Sequence, residues 1–134
     1  NLLLNVGPDA KGRIPEESVE ILAKVGKWMD NNSKSIYHCG ASDMPKPEWG
    51  RITQNGEKMF VHWMYPKIGH INLKGYGEKI KAVYFLADGA EAPSSKSWFG
   101  NKDKDNFFLN VNSPTYKTYP LPDEIDTVFE VILE

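Results

Sequence analysis

The hydrophobic period of this chain changes once, and the change divides it. Between Ser18 and Asn31, the residues Ile21, Leu22, Val25, Trp28 and Met29 fall at helical spacing and form one apolar stripe. After Tyr37 no stripe of that period recurs. Short apolar or alternating runs take over, each bounded by Gly, Pro, Asn or Asp. One helix followed by many short strands is the pattern of a small antiparallel β-sandwich with a helical extension.

The helix has a legible start. In Arg13-Ile14-Pro15-Glu16-Glu17, proline suits a first turn because its missing N–H would be unpaired there anyway. The two glutamates face the positive end of the helix dipole. Asn31-Asn32 is the expected stop. Ahead of the helix, Leu2 to Val6 is short, apolar and closed by Gly7-Pro8, which reads as a buried strand. No charged segment precedes the leucines, so they do not read as a signal peptide. Asp9-Ala10-Lys11-Gly12 is the turn between the two. Residues 1–32 therefore read as strand, turn and helix. A single unit of this kind cannot bury its own faces. It is expected to meet a missing part of a larger protein, the sandwich, or a second copy of the chain through its open strand edge.

Residues 38–50 are rich in Gly, Ser and Pro and read as a linker. Beyond it, Asn55-Gly56 lies between two β-patterned runs, 51–54 and 58–64, the strongest short hairpin signal. Further strands are expected at His70–Leu73, Lys79–Leu86, Trp98–Phe99, Asn106–Val111 and Thr127–Leu133. The expected core draws on Ile52, Phe60, Val61, Val83, Phe85, Phe107, Leu109, Phe129 and Val131. Which alternate set faces inward depends on register, because a slip of one residue inverts every assignment.

Composition sets limits on partners. With 134 residues, 40% apolar and 25% charged, the chain can support a core of one ordinary domain. A net charge of -2 lacks the basic field that phosphate neutralisation demands, which argues against a nucleic-acid partner. No apolar run approaches the ~18 residues of a membrane span. A single cysteine, Cys39, permits neither an internal disulfide nor a multi-cysteine zinc site.

Few residues offer chemistry. No serine sits in a nucleophile-elbow context. His38 and Cys39 are adjacent, so their side chains diverge, and no third group orients them. His38, His62 and His70 lack metal-ligand spacing, and no metal or other cofactor is called for. His62 shares a strand face with Phe60 and Met64 and reads as a half-buried sandwich histidine. Among the aromatics, Trp28 belongs to the helix stripe. Trp98, with Phe99, stands beside a polar loop and is the candidate platform for a sugar face.

Asn1-Leu2-Leu3-Leu4-Asn5-Val6-Gly7-Pro8, the spacing to Gly12, and Arg13-Ile14-Pro15 carry a resemblance. With Trp28, Ser35-Ile36-Tyr37, Trp49-Gly50-Arg51 and Val83 to Gly89, they resemble the C-terminal part of an α-L-fucosidase of glycoside hydrolase family 29. The resemblance implies a mainly β chain: an antiparallel β-sandwich domain over 51–134, preceded by a strand-helix unit, 1–37, like the last βα unit of a (β/α)8 barrel. It implies a retaining exo-glycosidase that removes terminal α-L-fucose from glycans without a cofactor, secreted, periplasmic or lysosomal. Such an enzyme uses two carboxyl groups flanking the scissile bond. In the family these lie upstream of the LLLN segment, on the catalytic barrel, so no residue here takes either catalytic role. The parent is expected to be the enzyme and this chain to be inactive alone. Asp9 would stand just past a barrel strand's C-terminal end, where barrel enzymes place chemistry, and is the second candidate for substrate contact. As a residue it reads first as a turn former. The alternative reading is a non-catalytic carbohydrate-binding or barrel-stabilising sandwich module.

Overall fold

The computed structural model describes residues 3–65, 69–96, 104–110 and 123–134. One helix, α1 (Glu16–Asn32), runs into a 3-10 turn at Ser33–Ser35. Eight strands follow: β1 (Gly40–Ala41), β2 (Gly50–Asn55), β3 (Lys58–Trp63), β4 (Ile71–Asn72), β5 (Ile80–Phe85), β6 (Ser94–Lys96), β7 (Phe107–Leu109) and β8 (Thr127–Leu133). They form two sheets, ordered β1-β2-β3-β8-β5 and β4-β7-β6, and every pairing is antiparallel.

Register decides which residues face inward. Val61 of β3 stands opposite Ile52 of β2 and Phe129 of β8, while Phe85 of β5 also faces Phe129. Met59, Val61, Trp63, Val83, Phe129 and Val131 line the inner face of the larger sheet. They pack against Ile71, Leu73, Phe107 and Leu109 of the smaller one and its connections. This is the sandwich core. Seven of the nine expected core residues are buried, and Ile52 and Phe85 are half-buried against the cluster. Phe60 is buried for a different reason. It points away from the core, to the outer face, and lies under the segment that follows α1.

The expected hairpin forms with Asn55 paired to Lys58, so its two loop residues are Gly56 and Glu57. Gly56 takes φ 58°, the positive value a tight hairpin needs at its first loop position. Strand β8 matches its expected bounds, β3, β4, β5 and β7 lie within theirs, and β2 exceeds the expected 51–54 by one residue at each end. Within the stretch read as a linker, Gly40–Ala41 adds an edge strand to β2. β6 was not anticipated by pattern. The expected Trp98–Phe99 strand lies outside the described residues.

One local expectation is corrected. Leu3 to Val6 form no strand, and Leu3 and Leu4 are 96% and 63% exposed. Extended backbone becomes a strand only when a neighbour accepts its hydrogen bonds, and none of the described strands lies beside it. The helix stripe shares this fate in part. Along Ile21, Val25, Trp28 and Asn32 exposure falls steadily, from 61% at Ile21 to burial at Asn32. α1 therefore meets the sandwich through its last turns and projects beyond it. Among the described residues no helix is long and apolar enough to cross a membrane.

Candidate functional site

The outer face of the larger sheet carries the alternate residues of each strand: Arg51, Thr53 and Asn55 on β2, Lys58, Phe60 and His62 on β3, and Val128 and Glu130 on β8. The end of α1 and the 3-10 turn lie across this face. Thr53 Oγ1 donates to the Ser35 carbonyl at 2.6 Å, and the Ser35 hydroxyl donates to the Asn32 carbonyl at 2.7 Å. The turn is thereby strapped to β2, with a cleft on either side.

A cavity of about 390 Å³ opens on one side, lined by Trp28, Ile36, Arg51, His62, Met64 and Ile125 among others. Its lining is almost wholly apolar except at one buried cluster. His62 Nδ1 lies 2.7 Å from Asp126 Oδ2, and both side chains are about 95% buried, at 4% and 6% exposure. His62 Nε2 lies 3.3 Å from Thr53 Oγ1. The Thr53 proton is committed to Ser35, so a lone pair faces the ring. The Asp126 carboxyl oxygen accepts from the ring when Nδ1 carries its proton. The Trp28 indole N–H donates to the Asp126 carbonyl at 2.9 Å, and Asn32 Nδ2 donates to the Trp28 carbonyl at 3.0 Å. These bonds join α1, β2, β3 and the loop before β8. Asp126 Oδ1 and Asn32 Oδ1 remain buried without a partner.

The sequence reads His62 as a half-buried sandwich histidine, and the structure buries it further, at 3% exposure; Asp126 was not singled out. No local signal marks it. Asp126 sits in a polar run before a strand, 64 residues from its partner, and only the β3–β8 pairing joins them.

The other chemistry-bearing residues are tied to the backbone. Asp9 accepts from the N–H groups of Lys11 and Arg13, at 2.8 and 2.9 Å, and from Arg13 Nε at 3.0 Å. The Arg13 backbone N–H, above all, holds its carboxyl below the usual aspartate value. These are the bonds of a turn residue. Asp88, Asp123 and Asp126 share a smaller cavity of about 200 Å³, but Asp88 holds the N–H of Ala90 and Asp123 that of Ile125. Cys39 Sγ donates to the Lys34 carbonyl at 3.3 Å, and burial pushes its thiol up, away from a reactive thiolate. His38 is exposed and takes φ 63°, the one positive value among the described non-glycine residues. Among the described residues, no group of three or more His, Cys, Asp or Glu could hold a metal ion. Trp98 lies outside the described residues.

A two-sheet antiparallel sandwich with a helix clasped to its outer face defines the structural class. Comparison with known proteins shows what the chain resembles. The α-L-fucosidase family model matches residues 1–34. An α-L-fucosidase of Dictyostelium discoideum is 54% identical over 37 residues, which are 28% of this chain and 8% of that protein. Among solved structures, α-L-fucosidase isoenzyme 1 from Paenibacillus thiaminolyticus matches all of this chain at 46% identity and a TM-score of 0.86, over 31% of its own length. A family 29 α-L-fucosidase from Bacteroides thetaiotaomicron matches 97% of the chain at 19% identity and a TM-score of 0.78, over 27% of its length, a likeness of fold. The chain is similar to α-L-fucosidases, and its fold matches their C-terminal domain. It spans less than a third of the length of these relatives.

Proposed function

We propose that this chain serves as the C-terminal part of a retaining exo-α-L-fucosidase that releases terminal α-L-fucose from glycans, and that it is inactive alone. The observation that carries this reading is the 46% identity to a named α-L-fucosidase over the whole chain, across only 31% of that enzyme. Retaining hydrolysis needs two carboxyl groups about 5–5.5 Å apart across a sugar site. The carboxylates at the described cavities are engaged in turns, in the His62 pair and, at Glu130, in an ion pair with Lys58. On this reading the nucleophile and the acid/base come from a catalytic barrel outside this sequence. Residues 1–37 are then the barrel's last βα unit, 38–50 the linker and 51–134 the sandwich.

The exposed apolar residues support a docking role. Leu3, Leu4, Ile14, Val19, Ile21 and Val25 are all exposed, on the part of the chain that projects beyond the sandwich. Burying each such side chain stabilises by about 1.5–3 kcal/mol, so a barrel seated there would gain substantially.

The test is an aryl α-L-fucoside assay on the purified 134-residue chain, alone and mixed with the remaining two thirds of a homologous fucosidase. The chain alone should not exceed a buffer blank, and the mixture should recover turnover. Turnover by the chain alone, surviving a contamination control, would place the active site within it. Light scattering separates the self-association alternative. A concentration-dependent dimer that Ile21→Lys dissolves, with no recovery on mixing, would make a second copy the partner.

A further inference from the structure

On the other side of the 3-10 turn lies a cleft of about 410 Å³ whose lining is half apolar and half polar. Phe60 forms its apolar base, buried although it points away from the core. Tyr37 stands at its wall and is 62% exposed. Lys58 reaches diagonally from β3 to Glu130 of β8, the residue opposite Phe60, with Nζ and Oε1 2.6 Å apart, and Asn55 stands beside Lys58 at the hairpin end. His38, at the rim, holds its positive φ there, and strained non-glycine backbone is concentrated at ligand sites.

We propose that this cleft binds a neutral sugar residue. The chemistry disfavours small ions. Lys58 and Glu130 neutralise each other, so the cleft presents no concentrated charge of either sign. A purely apolar ligand would strip water from the Lys58–Glu130 pair and from the Asn55 amide and return no hydrogen bond. A sugar ring meets every demand at once. Its C–H face packs on an aromatic ring, and its hydroxyls both donate and accept. Lys58 spends one of its three N–H donors on Glu130 Oε1, leaving two; the carboxylate keeps acceptor capacity on Oε2, and the Asn55 amide offers both functions. The volume lies in the range of small-molecule sites.

The proposal stands independently of the catalytic reading, because it concerns binding by this chain alone. The experiment is a heteronuclear NMR titration of the full chain with methyl α-L-fucoside, methyl β-D-galactoside and methyl β-D-glucoside, with glycerol and inorganic phosphate as controls. At least one glycoside should give saturable shifts at Tyr37, Asn55 and Lys58 with a dissociation constant of order millimolar, the range of weak ligands. Tyr37→Ala should weaken binding at least about tenfold, the factor that corresponds to 1.4 kcal/mol, while amides of the sandwich core keep their positions. Glu130→Gln should weaken it as well. Shifts that are linear in concentration, equal with glycerol, stronger with phosphate, or unchanged in a folded Tyr37→Ala would each overturn the proposal.

Discussion

His62 Nδ1 and Asp126 Oδ2 meet at 2.7 Å beneath the end of α1, in a position where neither side chain reaches water appreciably. Removing Asp126 leaves the buried imidazole without its hydrogen-bond partner, which costs about 1–3 kcal/mol. Asp126→Ala should therefore lower the unfolding free energy by about that amount in urea titration. It should also raise hydrogen exchange at Trp28 to Ile36, because the Asp126 loop holds Trp28. A loss below about 1 kcal/mol, the size of an ordinary surface change, would show that the pair contributes little.

Phe85 and Phe129 sit in the same core contact, with ring centroids 5.0 Å apart, yet they differ in burial. Phe129 is fully buried and Phe85 is half-buried. Phe129→Ala should cost about 3–5 kcal/mol, and Phe85→Ala distinctly less. Denaturant midpoints of the two variants, at equal slope, decide it. The reverse order would mean that the register of β5 against β8 is wrong.

At Gly50 an added methyl group would run into the main chain of His62 on the neighbouring strand. Backbone cannot rotate aside as a side chain can. Gly50→Ala should therefore pry β2 from β3 beside the clasp and destabilise by about 1–3 kcal/mol, the usual range for overpacking. Gly40→Ala is the control, since a methyl there meets nothing within 4 Å. Equal thermal midpoints for the two variants would refute the close approach.

The Asp9 turn should respond to acid. Its carboxyl is held below the ordinary aspartate value, first by the Arg13 backbone N–H. A depressed folded pKa means that the contribution is present above the unfolded value and is lost as pH falls through the folded one. A carboxyl-carbon NMR titration should give an Asp9 midpoint below that of an unfolded aspartate, with the Lys11 and Arg13 amides moving in step. A midpoint at or above the unfolded value would show the turn to be open in solution.

Local interactions explain what could be read without a structure. The α1 start needs only Pro15 and the two following glutamates, and the Asn55–Lys58 hairpin needs only a glycine at its first loop position. β8 needs only a run of strand formers broken by Glu130 alone. Such features depend on neighbours a few residues away, so composition and period disclose them. The family resemblance was legible for a related reason, since its strongest motifs are contiguous runs within residues 1–37.

Long-range pairing decided the rest. Phe60 and Val61 are equally apolar neighbours, and only register sends Val61 into the core and Phe60 under the 3-10 turn. Leu3 to Val6 have the composition of a strand, but composition supplies no partner for their N–H and C=O groups, so no strand forms there. The helix stripe predicts an apolar face and says nothing of what covers it; contact with the sandwich buries Asn32 and leaves Ile21 in water. Asp126 became visible only when β8 was laid beside β3. A hydrogen bond between residues 64 positions apart depends on the sheet that carries both, and no local pattern encodes that sheet.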